Sequence, residues 1–178
     1  MNGSFDKNTV LRAISFAARA HQGQMRKDKR TPYVAHPLRV MTVLATVFKV
    51  DDPELLATAA LHDTIEDTDT DRDDLDRQFG ARVAQYVALL SKDKRKLEEE
   101  REKGYFAGLA QAPVGVKLCK LADVYDNLID SLGLPPEARK KTVHKAQQLM
   151  RLFRDDLVDD WQHVLHCMDE QIRHAAAE

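Results

Sequence analysis

The chain is organised around the nine-residue stretch Ala60–Thr68, which reads ALHDTIEDT. His62 and Asp63 offer an imidazole nitrogen and a carboxylate oxygen, a mixed set that suits borderline divalent cations. Glu66 follows His62 by four residues, and Asp67 follows Asp63 by the same spacing. If the preceding helix continues through the stretch, each pair shares one face. So much negative charge on one short face favours either a bound cation or full exposure to water.

Length and composition limit the classes of protein to consider. The 178 residues fit one domain over 1–178, and the 43% hydrophobic and 31% charged residues are typical of a soluble globular protein. No apolar run approaches the roughly 20 residues of a membrane helix. The net charge of −2 does not favour long nucleic acid as a partner, although a local basic patch could bind a small anion.

The termini and the cysteines indicate a compartment. Met1–Val10 has no apolar signal core, so we expect no export. Cys119 and Cys167 have neither a CxxC nor a zinc-finger spacing, and they are typical of packed, reduced thiols. The sequence therefore predicts a cytoplasmic protein.

Apolar residues recur at helical spacing along the chain, and no stretch shows the alternation of a strand. Asp52, Pro53 and Glu54 form a helix start, with a capping side chain, a first-turn proline and an acid favoured by the helix dipole. The charged run 91–103 predicts a solvated helix, although its leading lysines could instead face a phosphate. The pattern predicts an all-α bundle of about seven to nine helices.

A basic loop lies between the first two predicted helices. It contains Arg26, Lys27, Lys29 and Arg30 within the polar segment 22–33. Arginine offers a bidentate fork to phosphate and lysine a compact charge. An ordinary solvated loop can have the same composition. The position of this loop just before His36 is what favours a binding role.

The stretch 113–132 is the second informative part of the chain. Its apolar side predicts a packed helix, while Lys120, Asp123 and Asn127 share one face at spacings of three and four. A buried aspartate on such a helix is costly unless it is paired or bound to a cation.

Three stretches of the chain together carry a family resemblance. They are RKDKRTPYVA before His36, HDTIED at 62–67 and KLADVYDNL at 120–128. In this order they resemble the HD-domain phosphohydrolases, specifically the hydrolase domain of RelA/SpoT proteins and the small alarmone hydrolases. The resemblance covers about residues 9–132, implies an HD-domain helical bundle, and leaves 136–178 as a C-terminal helical part.

The resemblance implies a role for each matching residue. A single divalent ion, usually manganese, would be held by two histidines and two aspartates, and an acidic pair would orient and activate the attacking water. Further residues would contact a small nucleotide. The implied set is His36, His62, Asp63 and Asp123 for the metal, Glu66 and Asp67 for the water, and Arg26, Lys27 and Asn127 for the substrate.

The implied reaction removes the 3′-pyrophosphate from ppGpp or pppGpp and gives GDP or GTP. The family commonly reads KLADRLHN followed by Arg-Thr, whereas this chain has Val124, Asp126, Ile129 and Asp130 at the differing positions. Two added acids and two lost cations keep two alternatives open. One is an HD hydrolase of another nucleotide or phosphate ester, and the other is a non-catalytic module that binds a nucleotide. The sequence does not indicate the oligomeric state.

Overall fold

Residues 7–95 and 97–177 are described by a computed structural model, and within them the chain forms ten α-helices and no strand. The prediction of an all-α fold is confirmed. The ten helices of the described residues exceed the upper end of the predicted range of seven to nine by one. The helices are α1 (Lys7–Ala20), α2 (Ala35–Thr46), α3 (Pro53–Leu61), α4 (Thr64–Asp67), α5 (Arg72–Phe79), α6 (Ala81–Leu90), α7 (Glu98–Ala110), α8 (Val114–Ser131), α9 (Pro136–Leu157) and α10 (Gln162–Ala177). None of the described helices is long and apolar enough to cross a membrane.

Helix α3 occupies the centre of the fold and packs against α1, α2, α6 and α8. Its start follows the sequence prediction, because the Asp52 carboxylate accepts hydrogen bonds from the amides of Glu54 and Leu55. Ala57, Ala59 and Ala60 are fully buried. Their small side chains allow neighbouring helices to approach closely, so the segment that follows α3 lies deep between them.

Two apolar clusters meet at α3. The larger is built mainly from α2, α8, α9 and α10, and it includes Leu55 and Ala59 of α3. The smaller is built from α1, α5 and α6, and it includes Ala57, Ala60 and Leu61. Since both faces of α3 are covered by apolar side chains, the end of this helix is fixed in position.

Helix α3 does not continue through HDTIED, so the condition under which each pair would share one helix face is not met. Helix α3 ends at Leu61 and α4 begins at Thr64, where the Thr64 hydroxyl donates to the carbonyl of Leu61 over 2.8 Å. Asp63 between them has φ −98° and ψ −4°. His62 and Asp63 therefore lie at a corner between two helices rather than along one face.

The charged run 91–103 also departs from its prediction. Helix α7 begins only at Glu98, and the described residues before it form turns. The amide of Lys92 donates to Glu66 over 2.9 Å, and the ammonium of Lys94 pairs with Asp67 over 2.6 Å. Tertiary contacts with the acidic motif hold this segment out of a helix.

Helices α8 and α9 are joined by a buried charge. The Lys117 ammonium donates to the carbonyl of Ala110 over 2.9 Å and to the Asp156 carboxylate over 2.7 Å. The Lys117 side chain is only 3% exposed, while that of Asp156 is 43% exposed. A buried ammonium needs such partners, because losing one leaves desolvation uncompensated.

Replacement of Asp156 by alanine tests this anchor. We expect Asp156→Ala to lower the free energy of unfolding by about 1–3 kcal/mol, because Lys117 keeps only one neutral acceptor. The control is Asp155→Ala, which removes an exposed neighbouring carboxylate and should stay within about ±0.5 kcal/mol. Urea unfolding of both variants measures the difference, and equal stabilities would contradict the role of Asp156.

Candidate active site

Four of the sequence-predicted residues come together where α2, the α3–α4 corner and α8 meet. The His36 Nε2 lies 3.6 Å from an Asp63 oxygen and 3.2 Å from an Asp123 oxygen. The His62 Nε2 lies 3.1 Å and 3.9 Å from the same two oxygens. Two imidazoles and two carboxylates therefore face one small volume.

The donor atoms of this cluster fit a divalent cation. The Nδ1 of His62 donates to the carbonyl of Ala59 over 2.8 Å, which leaves Nε2 with its lone pair. That buried Nε2 has no hydrogen-bond partner among the described residues. Ligand atoms of His36, His62 and Asp123 all lie within 4.8 Å of one another. Two nitrogens with carboxylate oxygens are a ligand set for borderline divalent metals.

The charges of the cluster depend strongly on one another. Burial alone would raise the pKa of Asp123, but Lys120 and His36 hold that pKa well below its usual value. Burial alone would lower the pKa of His36, but Asp123 and Asp126 raise it to about 9. A metal ion that binds His36 must therefore displace a proton, which couples metal uptake to pH.

Asp126 is a candidate site residue to which sequence reasoning gave no role. Its carboxylate is 1% exposed and accepts a hydrogen bond from the Nδ1 of His36 over 2.7 Å. Its other oxygen lies 2.6 Å from the Nε of Arg39. A carboxylate on the far nitrogen of a metal-binding histidine fixes the ring and raises its basicity. The acid that departs from the family pattern therefore lies behind His36 instead of adding free charge to the pocket.

Asp126 and Asp130, the two acids to which sequence reasoning gave no role, belong to a polar stripe along α8. Lys120, Asp123, Asp126, Asn127 and Asp130 recur at spacings of three and four. The Lys120 ammonium pairs with Asp123 over 2.7 Å, and the Asn127 amide donates to the same carboxylate. Extending the pattern from three members to five would have indicated both additional acids.

Arg26 of the basic loop is engaged within the protein. Its guanidinium pairs with Asp130 over 2.6 Å, donates to the Asn127 amide oxygen over 3.4 Å and lies over the Tyr33 ring. Asp130 also pairs with Arg39 over 2.8 Å. Asp130, the second acid at which this chain differs from the family pattern, thus pairs with two arginines at the rim of the site.

The loop is also tied to the acidic motif. The Gln24 side-chain amide donates to the carbonyl of Asp67 over 2.8 Å. The Tyr33 hydroxyl donates to Asp63 over 2.6 Å and approaches Asp67 at 3.3 Å. The structure therefore places the basic loop directly beside two of the predicted site residues.

Glu66 and Asp67 differ in how far their carboxylates are occupied. The Asp67 carboxylate is ion-paired with the Lys94 ammonium over 2.6 Å, and its other oxygen lies 3.3 Å from the Tyr33 hydroxyl, which donates its proton to Asp63. Glu66 accepts one hydrogen bond, from the amide of Lys92, and no other from the described residues. One oxygen of Glu66 thus remains available to accept a proton.

A cavity of about 570 Å³ opens beside the cluster, and its walls come from the basic loop, α2, α8 and α9. His36 and Asp123 of the cluster line it, as do Arg26, Lys27 and Asn127. This volume is within the usual range for a small-molecule site. Two of the four predicted metal ligands and all three predicted substrate contacts therefore line one cavity, while His62 and Asp63 lie outside its lining.

Comparison with known proteins places this geometry in a wider group. A family model described as an HD domain matches residues 13–154. Guanosine-3′,5′-bis(diphosphate) 3′-pyrophosphohydrolase MESH1 of Homo sapiens is 35% identical over 166 residues, which are 93% of this chain and 91% of the relative. The Mus musculus protein of the same name is 40% identical over 140 residues, which are 78% of this chain and 77% of that relative.

A longer relative and a solved structure agree with this grouping. The guanosine-3′,5′-bis(diphosphate) 3′-pyrophosphohydrolase of Aquifex aeolicus is 36% identical over 79% of this chain, which corresponds to 20% of that longer protein. A solved structure described as a metazoan ortholog of SpoT that hydrolyzes ppGpp superposes with a TM-score of 0.84. It is 29% identical, and the match covers 97% of this chain and 98% of the other.

Asp126 generates a prediction about metal binding. We expect the wild-type protein to bind one divalent ion, and Asp126→Asn to weaken that binding about 10–100-fold, because the charge behind His36 is lost. Competition with a chromophoric chelator measures both dissociation constants.

The matched control for this prediction is Asp130→Asn. It also removes an acid that pairs with Arg39, but Asp130 has no contact with a histidine. Its metal affinity should match the wild type. Equal affinities of all three proteins would contradict the role of Asp126.

Proposed function

Because this chain belongs to the HD-domain family, we propose that it is a metal-dependent pyrophosphohydrolase of guanosine 3′,5′-bis(diphosphate). The observation that carries the proposal is the buried His36, His62, Asp63 and Asp123 cluster, which opens onto a cavity lined by cations. The relatives at 35–40% identity whose names specify this reaction support it. Location in the cytoplasm stays a prediction from the sequence.

The reaction consumes one water. The water oxygen forms a bond to the phosphorus attached to the ribose 3′ oxygen, and the bond between that phosphorus and the 3′ oxygen breaks. The water loses a proton and the 3′ oxygen gains one. The products are GDP and pyrophosphate, or GTP and pyrophosphate from pppGpp.

The metal would be held by the four clustered residues, and we propose that it is Mn²⁺. A divalent ion supplies Lewis-acid polarisation of a phosphoryl oxygen and a lowered pKa for a bound water. His36 is kept in position by Asp126, and His62 by the carbonyl of Ala59. Both rings thus present Nε2 to the ion without reorganisation.

We assign the proton transfer from water to Glu66. Its carboxylate accepts only the neutral amide of Lys92 and has an oxygen free of hydrogen bonds from the described residues, whereas the Asp67 carboxylate is held in an ion pair by Lys94. A general base must lie within hydrogen-bonding reach of water and be able to accept its proton. Asp67 then has a positioning role, since it ties Lys94 and Tyr33 to the acidic motif.

A second candidate is hydrolysis of another nucleotide or phosphate ester by the same site. The observation in its favour is that Asp126 and Asp130 already neutralise Arg26 and Arg39 at the cavity. Fewer free cations suit a substrate with fewer phosphates. Lys27 and Arg26 remain our predicted contacts for whichever nucleotide binds.

Turnover of a nucleotide panel separates the two candidates. With Mn²⁺ present, we expect ppGpp and pppGpp to release pyrophosphate faster than GTP, GDP or simple phosphate esters release phosphate. Chromatography of the products distinguishes pyrophosphate from phosphate. Preferred hydrolysis of a substrate without a 3′-pyrophosphate would favour the second candidate, and hydrolysis of none would leave a binding module.

Glu66→Gln tests the assigned base. We expect a loss of about 10²–10⁴-fold in kcat with retained metal, because glutamine is nearly isosteric but cannot accept the proton. The control is Asp69→Asn in the following turn, whose carboxylate is exposed and should be dispensable. A Glu66→Gln variant with wild-type kcat and full metal content would remove Glu66 from the mechanism.

A further inference from the structure

The cavity beside the metal cluster is lined by five cationic side chains. Three of them are paired within the protein: Arg26 with Asp130, Arg39 with Asp126 and Asp130, and Lys120 with Asp123. The other two are Lys27 and Lys145. Neither of these has an ion pair or hydrogen bond with any residue that the structure describes.

Lys145 differs from Lys27 in its surroundings. Lys27 is exposed on the basic loop. Lys145 is half-buried and belongs to α9, which forms another wall of the cavity. Burial, together with the positive charges of Lys120 and Lys92, lowers the pKa of Lys145 to about 8, and the carboxylates of Glu102 and Asp123 offset only part of that effect. A partly desolvated cation beside two like charges is unfavourable unless an anion joins it.

The neighbours of Lys145 indicate which end of the cavity it serves. Lys120 acts on its charge, and the Lys120 ammonium lies 2.7 Å from the predicted metal ligand Asp123. Asp123 itself is close enough to oppose the effect of Lys120 on Lys145. Lys145 also lines the same cavity as His36 and Asp123, two of the predicted metal ligands beside which the scissile group of a substrate must lie.

We infer that Lys145 binds the outer phosphate of the pyrophosphoryl group that is transferred to water, an inference that rests on the function proposed above. An ammonium offers three donors to phosphate oxygens, and the contact is charge-assisted. The phosphate would supply the direct ion pair that the half-buried Lys145 lacks among the described residues, because the two acids that act on its charge, Glu102 and Asp123, are paired with Lys92 and Lys120. Helix α9, which carried no predicted site residue, thereby becomes part of the substrate site.

Competitive labelling of the wild-type protein tests the contact directly. Lysines are acetylated with a trace reagent, with Mn²⁺ present, in the absence and presence of inorganic pyrophosphate, and labelling of each peptide is measured by mass spectrometry. At ten times the dissociation constant we expect about tenfold slower labelling of Lys145, because only the free protein reacts. The internal control is Lys141, which is exposed one turn earlier on α9 and should label at an unchanged rate.

Variants supply a second measurement. Lys145→Met should raise the dissociation constant of pyrophosphate about 10–100-fold, as expected for the loss of a charge-assisted contact. Lys145→Arg keeps the charge and should change it by about threefold or less. Lys141→Met should match the wild type. Titration calorimetry gives the constants, and thermal unfolding verifies that each variant is folded.

The result that overturns the inference is unchanged labelling of Lys145 at saturating pyrophosphate, or no binding of pyrophosphate at all. These readouts need no turnover. Rapid hydrolysis of ppGpp without protection of Lys145 would refute the inference alone. Protection of Lys145 without hydrolysis of any 3′-pyrophosphate would refute the proposed function and retain the phosphate site.

Discussion

The structure depends on one constraint, which is the burial of Asp123 in the middle of α8. A carboxylate removed from water must be compensated, and here the compensation comes from two helices at once. Lys120 and Asn127 contact it from its own helix, and His36 faces it from α2. Packing these helices around small alanines brings the α3–α4 corner to the same place. The charge balance of the site and the packing of the central helices therefore depend on the same contacts.

Much of the fold could be predicted from the sequence because its signals are local. The cap at Asp52, the periodicity of α8 and the end of α5 at Gly80, whose φ is 87°, all arise from neighbouring residues. The helix before Glu98 was predicted wrongly because the amide of Lys92 and the ammonium of Lys94 bind residues about 26 positions away. Helix propensity depends on the local sequence and does not reflect contacts with distant residues.

The candidate site, like the fold, has a part that the sequence could predict and a part that it could not. The predicted ligands are brought together, but their assignment came from a resemblance, since spacing alone left an exposed acidic turn equally open. The spacing along α8 could have placed Asp126 in the polar stripe, but not its role, which depends on the histidine ring that lies opposite α8. The role proposed for Lys145 depends on the lack of an ion pair or hydrogen bond with the described residues, a property that only the folded chain reveals.

The basic loop has a consequence for how this protein could diversify. It is closed by a bridge between Met25 and Pro32, and it is fastened at Gln24 and Tyr33 to the segment that holds Asp63 and Asp67. Insertions between these fastenings would disturb the reaction centre as well as recognition. Substitution at the exposed Lys27, Lys29 and Arg30 would change the charges available for recognition and leave the reaction centre in place. New substrate preferences are therefore accessible to evolution or laboratory selection by exchanging side chains on a loop of fixed length.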